Sequence, residues 1–171
     1  EARGYKTVND MCEVASEEEF LKGSASLVTS FELIEHLIYP DQFLLHLTKI
    51  AAKGGVILLT GLTGSGFDIE VLGARSKSVS PPHHLNFITR KGVKLLLERC
   101  GLEEMSFSTP GKLDVDIVRN AFLSDPLSIK DPFLSQMFYE DDPLVLQDFQ
   151  NFLVRNNKSS HMWILARKKN F

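Results

Sequence analysis

Glu32, Glu35 and His36 stand at i, i+3 and i+4, a spacing that on a helix brings all three side chains onto one face, within reach of one ion. Mixed oxygen and nitrogen donors suit Mg²⁺, Mn²⁺ or Fe²⁺ better than a closed structural zinc site. Such an ion would lower the pKa of a bound hydroxyl and orient it. A plainer reading is open as well: two carboxylates in a first helical turn meet the positive end of the helix dipole, and His36 hydrogen-bonds a nearby loop. His46, in an amphipathic stretch, and His161, at the start of a strand, read as structural or exposed.

The elements that must position these groups follow from apolar periodicity. Leu27 to Ser30 is a buried strand running into a helical turn, Phe31 to Leu37. After Pro40, Asp41 to Ala52 carries Phe43, Leu44, Leu47 and Ile50 at helical spacing. Gly54-Gly55 is expected to end that helix and launch a strand, Val56 to Thr60. Upstream, Tyr5 to Val8 reads as a short strand and Ser16 to Leu21 as a short capped helix. Downstream, Thr89 can cap a helix from Arg90 to Cys100 that Gly101 ends, before a strand from Leu102 to Ser108. Leu113 to Leu123 and Leu144 to Asn156 read as helices, and Met162 to Ala166 as the last strand. Between the two helices, a proline-punctuated stretch bearing Phe133, Met137, Phe138 and Tyr139 reads as a satellite core. Asp114, Asp116, Arg119 and Asn120 form a polar face read as solvated. Strands alternating with helices predict an α/β fold with a mostly parallel sheet.

The length of 171 residues, with 43% apolar and 24% charged, fits one globular domain. No apolar run approaches the roughly 20 residues that cross a bilayer, so no membrane partner is expected. Net charge is -3, with both signs interspersed, which argues against a nucleic-acid backbone as partner and favours a small-molecule substrate. Cys12 and Cys100 show no paired spacing, which suits a reducing, cytoplasmic setting. The start at Glu1 lacks both an initiator Met and a signal-peptide pattern, and is read as the middle of a longer gene product. Thr60-Gly61-Leu62-Thr63-Gly64-Ser65-Gly66 follows a strand, but its glycines reverse the G-x-G-x-x-G order. It reads as a substrate-side loop.

Taken in order, Ser26 to Leu37, the Tyr39-Pro40-Asp41 turn, Lys53-Gly54-Gly55 before a strand, Pro82-His83-His84-Leu85-Asn86-Phe87 before a helix, and Gly101-Leu102 after it resemble the second half of a class I S-adenosylmethionine-dependent methyltransferase of the type 11, 12 and 23 group. Thr109 to Asn120 also resembles a subgroup element of these enzymes.

The resemblance implies a partial Rossmann-like fold, with Lys6 to Val8 as the family's third strand, Leu27 to Ser30 as its fourth and Val56 to Thr60 as its fifth. Leu102 to Ser108 and Met162 to Ala166 become an antiparallel final pair. The first strands and the glycine-rich motif would lie upstream, making this a truncated domain. Residues 1–108 would form the sheet core, 109–160 a helical substrate-side insertion, and 161–171 the last strand and basic tail. S-adenosylmethionine is the implied cofactor, contacted by Asp10 and Met11 after the third strand and by Ser30 and Phe31 after the fourth. Two subgroups, the ubiquinone-pathway O-methyltransferases and the small-RNA terminal 2′-O-methyltransferases, carry a similar Glu-x-x-Glu-His phrase as divalent-ion ligands. The second adds a histidine where His83 and His84 fall. The implied ion is Mg²⁺ or Mn²⁺ on Glu32, Glu35, His36 and His84, with His84 or His36 as catalytic groups and His84 as a general base if no ion is held. The expected reaction is methyl transfer to a small-molecule hydroxyl. The alternatives are an RNA 2′-O-methyltransferase, or a non-catalytic interaction module using the uncovered edge of the fourth strand. That edge also predicts a homodimer.

Overall fold

The computed structural model describes residues 7–169. Four strands, β1 (Ala25–Ser30), β2 (Ala51–Leu62), β3 (Leu102–Ser108) and β4 (His161–Lys168), form one sheet in the order β1-β2-β4-β3. β1 and β2 run parallel, with Leu27 opposite Val56 and Ser30 opposite Leu59. β4 lies antiparallel to both β2 and β3, so the sheet is mixed and its final pair antiparallel. This is an α/β, partial Rossmann-like architecture.

Seven α-helices surround it: α1 (Cys12–Ala15), α2 (Pro40–Ile50), α3 (Phe67–Leu72), α4 (Arg90–Arg99), α5 (Asp114–Ser124), α6 (Pro132–Glu140) and α7 (Pro143–Arg155). One sheet face, with Val28, Ile57, Leu59, Met162, Ile164 and Ala166, is buried under Phe43, Leu44 and Leu47 of α2 and Val93 and Leu97 of α4. Alternation along each strand puts Leu27, Leu58, Trp163 and Leu165 on the opposite face. There Leu27 is 56% and Trp163 44% exposed, and Leu58, Ser106, Ser108, Trp163 and Leu165 line a depression of about 280 Å³. Val115, Val118 and Phe122 of α5 pack with Leu134, Met137 and Phe138 of α6 and Leu153 of α7 in a second core; of the residues expected in a satellite cluster, Met137 and Phe138 join it, while Phe133 and Tyr139 are exposed.

Several local expectations are corrected. The upstream strand falls partly outside the described residues, and Thr7 and Val8 form no strand. The helix expected over Ser16 to Leu21 is a series of turns, with α1 ahead of it. Ser16 does not cap a helix start, because it is fully buried and its hydroxyl is shared between the Glu13 carbonyl and His46 Nδ1.

Helix α2 ends at Ile50, before the glycines. Lys168 Nζ, from the far end of β4, donates to the Thr48 and Ala51 carbonyls at 2.7 and 2.9 Å, so a distant lysine satisfies carbonyls left free at the helix end. Gly54-Gly55 instead forms a bulge inside β2: Ala25 pairs with Ala51 and Leu27 with Val56, so two steps on β1 face five on β2. Gly54 takes φ +71°, and a Cβ on Gly55 would stand 2.8 Å from the Ala52 carbonyl oxygen. The loops after β2 also contain α3, and the proline-punctuated stretch contains α6; neither helix is apparent from periodicity alone.

Candidate active site at the carboxyl end of β1 and β2

The parallel strands β1 and β2 end together, and the chain leaving β1 turns sharply. Glu32 adopts φ +47°, a left-handed conformation costing a non-glycine residue about 1 kcal/mol. It is held there because its N–H donates to the Thr60 carbonyl and Thr60 Oγ1, both at 3.2 Å, while the Thr60 hydroxyl donates to Glu32 Oε1 at 2.5 Å. Strain of this kind clusters at functional sites.

The turn breaks the helical register on which the Glu32, Glu35, His36 spacing rests. Only Ile34–His36 is helical, as a single 3₁₀ turn. Glu32 therefore leaves the other two and joins a second group, with His161 Nδ1 at 3.5 Å from Glu32 Oε2 and the Trp163 indole N–H donating to His161 Nε2 at 3.0 Å. His161, read as structural from sequence, is part of this chain of polar contacts; only the pairing of β4 with β2 brings it there.

Glu35, His36 and His84 converge instead, with one ligand atom from each lying within 4.8 Å of the others. The 82–87 loop is fastened to the 3₁₀ turn by its backbone: the Leu85 and Asn86 N–H groups donate to the Glu35 carbonyl at 2.7 and 3.0 Å, and the Asn86 amide reaches the Leu37 carbonyl. His36 Nδ1 lies 2.7 Å from the His83 carbonyl and His84 Nδ1 2.7 Å from the Ser78 carbonyl. A carbonyl only accepts, so Nδ1 is the donor in both rings, which in the neutral imidazole leaves the lone pair on Nε2. The ring centroids are 4.8 Å apart. His36 thus makes the loop hydrogen bond of the plain reading, and that same bond fixes the orientation of its ring.

Glu35 is 2% exposed, and its Oε2 has no hydrogen-bond partner among the described residues. Burial pushes its carboxyl above the usual range, the Glu32 charge adds to this, and its own backbone N–H, His36 and His84 act in the opposite sense. The carboxylate packs against the backbone of Gly61, where a Cβ would lie 2.6 Å from Oε2. The glycine-rich run after β2 therefore contributes an absence of side chain beneath Glu35.

The residues expected on the cofactor side lie on separate elements. Asp10 and Met11 lead into α1, where Asp10 Oδ1 accepts from the Met11 N–H at 2.8 Å. Ser30, buried, and Phe31, 59% exposed, end β1. Met11 is 68% exposed.

A strand pair ending in a strained turn beside two oriented histidines is the geometry on which the known proteins bear. Residues 3–106 match the model of a methyltransferase domain family, type 23. The chain belongs to this methyltransferase family. Comparison with curated proteins finds no match. Among solved structures, a methyltransferase domain from Archaeoglobus fulgidus, described as S-adenosylmethionine-dependent, is 11% identical, with a TM-score of 0.57 over 97% of this chain and 69% of its own. One from Thermotoga maritima, likewise described, is 14% identical, with a TM-score of 0.54 over 98% and 66%. Against a Galdieria sulphuraria protein, 14% identical with a TM-score of 0.47, the alignment covers 91% of this chain and 57% of the other. This methyltransferase domain thus spans 57 to 69% of the length of these structures, and the likeness to the Archaeoglobus and Thermotoga proteins shows the fold. Among the described residues, no helix is long and apolar enough to cross a membrane.

Proposed function

We propose that the protein takes part in S-adenosylmethionine-dependent methyl transfer to the hydroxyl of a small molecule, with Mg²⁺ or Mn²⁺ held by Glu35, His36 and His84. The observation that carries this reading is the convergence of two histidines, each tied through Nδ1 to a loop carbonyl, on the buried Glu35 carboxylate, with one ligand atom of each within 4.8 Å of the others. That donor set fits a divalent ion: two neutral imidazoles whose other nitrogens are already hydrogen-bonded, and a carboxylate that gains a counter-charge. Glu32, committed to Thr60 and His161, stands outside the set.

The cofactor would lie along the carboxyl end of β1. Phe31 and Met11 offer exposed apolar surface for a flat ring, with Ser30 and the Asp10 carboxylate supplying polar contacts. S-adenosylmethionine supplies the methyl group, and the ion, when bound, lowers the pKa of the acceptor hydroxyl. Glu35, His36 and His84 would hold the ion, and where His84 Nε2 is not used by an ion it can take the hydroxyl proton as a general base. Net charge of -3 supports a small-molecule acceptor over a polyanion.

The test is titration of Mn²⁺ into the chain, followed by electron paramagnetic resonance. One site should be filled in the parent and lost in His36→Ala and His84→Ala, and Glu32→Gln should leave it intact. Binding insensitive to all three substitutions would refute the assigned ligands.

A further inference from the structure

Asp68, on α3, is fully buried, and neither the converging ligand set nor the strained turn uses it. Its Oδ2 accepts from the Ser76 and Ser78 hydroxyls, both at 2.7 Å. Its Oδ1 is buried with no partner among the described residues. A carboxylate withdrawn from water and only half satisfied is costly to keep where an apolar residue could pack, so what it holds matters.

What it holds is the segment leading to His84. The Ser78 N–H donates to Ser76 Oγ at 3.0 Å and the Val79 N–H to the Ser76 carbonyl at 2.9 Å. The Ser80 carbonyl then accepts from the N–H groups of His83 and His84 at 2.8 and 3.0 Å. The same Ser78 whose hydroxyl is tied to Asp68 offers its carbonyl to His84 Nδ1.

We infer that Asp68 is a positioning residue for the site: by fixing Ser78 it sets the tautomer and direction of the His84 imidazole, which lies beside His36 and Glu35. The inference rests on the reading of Glu35, His36 and His84 as one ligand set, but the hydrogen-bond chain can be tested without an ion. Without the carboxylate, Ser78 loses the acceptor that orients it, and the His84 ring is free to exchange the proton between its nitrogens.

The experiment uses histidine-labelled chain and two-bond proton–nitrogen correlation spectra in the absence of metal, followed by Mn²⁺ titration. Parent protein should show His84 as the Nδ1–H tautomer. Asp68→Ala should convert it to a mixture and weaken Mn²⁺ binding by about tenfold to a hundredfold. Asp68→Asn, which keeps an acceptor oxygen, should restore the parent tautomer. Ser78→Ala should reproduce the Asp68→Ala shift, with no further change in the double variant. His46, bonded to Ser16 just after α1, serves as the internal control for an intact fold. If Asp68→Ala does not fold, Ser78→Ala alone decides. An unchanged His84 tautomer in folded Asp68→Ala or Ser78→Ala overturns the inference, even if Mn²⁺ binds the parent. A shifted tautomer in a chain that never binds Mn²⁺ upholds it and overturns the metal reading instead.

Discussion

Gly61 carries no side chain where a Cβ would stand 2.6 Å from Glu35 Oε2 and 2.8 Å from an Ile34 methyl. Gly61→Ala should cost about 1–3 kcal/mol through overpacking and displace the Glu35 carboxylate; denaturant unfolding and Mn²⁺ titration of the same variant check both effects. Glu35→Gln keeps the shape and removes a buried charge whose Oε2 has no hydrogen-bond partner among the described residues, so it should abolish ion binding without lowering the melting temperature. Cys100 is 3% exposed, and burial, with Asp41 adding to it, pushes its thiol from 9.0 to about 11. A pKa raised in the folded state means stability is fully kept below about 9 and falls as pH rises toward about 11. Cys100→Ser should flatten that loss in an alkaline unfolding series, and alkylation of Cys100 at neutral pH should follow global unfolding. Glu35 and His36 were legible as chemistry-bearing residues, but the company they keep was not. Spacing joins Glu32 to them only if the chain is helical from Glu32 onward, and the hydrogen bonds from Thr60 that impose the left-handed turn come from 28 residues away.

Helix α4, with a local start and a local stop signal, matched expectation, unlike the capped helix read over Ser16 to Leu21. Thr89 caps α4 by accepting from the Gly92 N–H at 3.2 Å, and Gly101, at φ +69°, lets the chain turn into β3. The end of α2 was hidden because its stop signal is Lys168, more than a hundred residues downstream. The polar face of α5, read as solvated, is divided. Arg119 reaches Asp141 through two bonds, at 2.5 and 2.7 Å, on the surface. Asp114 is 2% exposed and accepts from the Ser160 N–H at 2.6 Å, the Ser159 hydroxyl at 2.5 Å and the Gln150 amide at 3.1 Å. This carboxylate docks α5 and α7 onto the start of β4. Asp114→Ala strands three buried donors and should destabilise the chain by about 3 kcal/mol; Arg119→Ala should change it by less than about 1 kcal/mol. Chemical denaturation of the two variants side by side measures the contrast.

At the scale of the sheet, one face is buried by helices and the other leaves Leu27 and Trp163 open, with β1 at an edge that is unpaired among the described residues. Unpaired edges invite further pairing, so the chain is expected to self-associate; sedimentation should show a dimer that Leu27→Lys, on the open side of β1, dissociates, and a compact monomer at all concentrations would contradict this. The antiparallel final pair of strands was legible because a family pattern spans the chain, whereas the meeting of the 3₁₀ turn with the 82–87 loop depends on backbone hydrogen bonds that no periodicity encodes. The central claim is that the carboxyl end of β1 and the Glu35, His36, His84 set together form a methyl-transfer site. Calorimetric titration of S-adenosylhomocysteine, with and without Mn²⁺, tests it most directly. Micromolar binding that tightens with Mn²⁺ in the parent, and loses that tightening in His84→Ala, is the predicted result; S-adenosylhomocysteine binding that neither Mn²⁺ nor His84→Ala alters, or no binding at all, would contradict it.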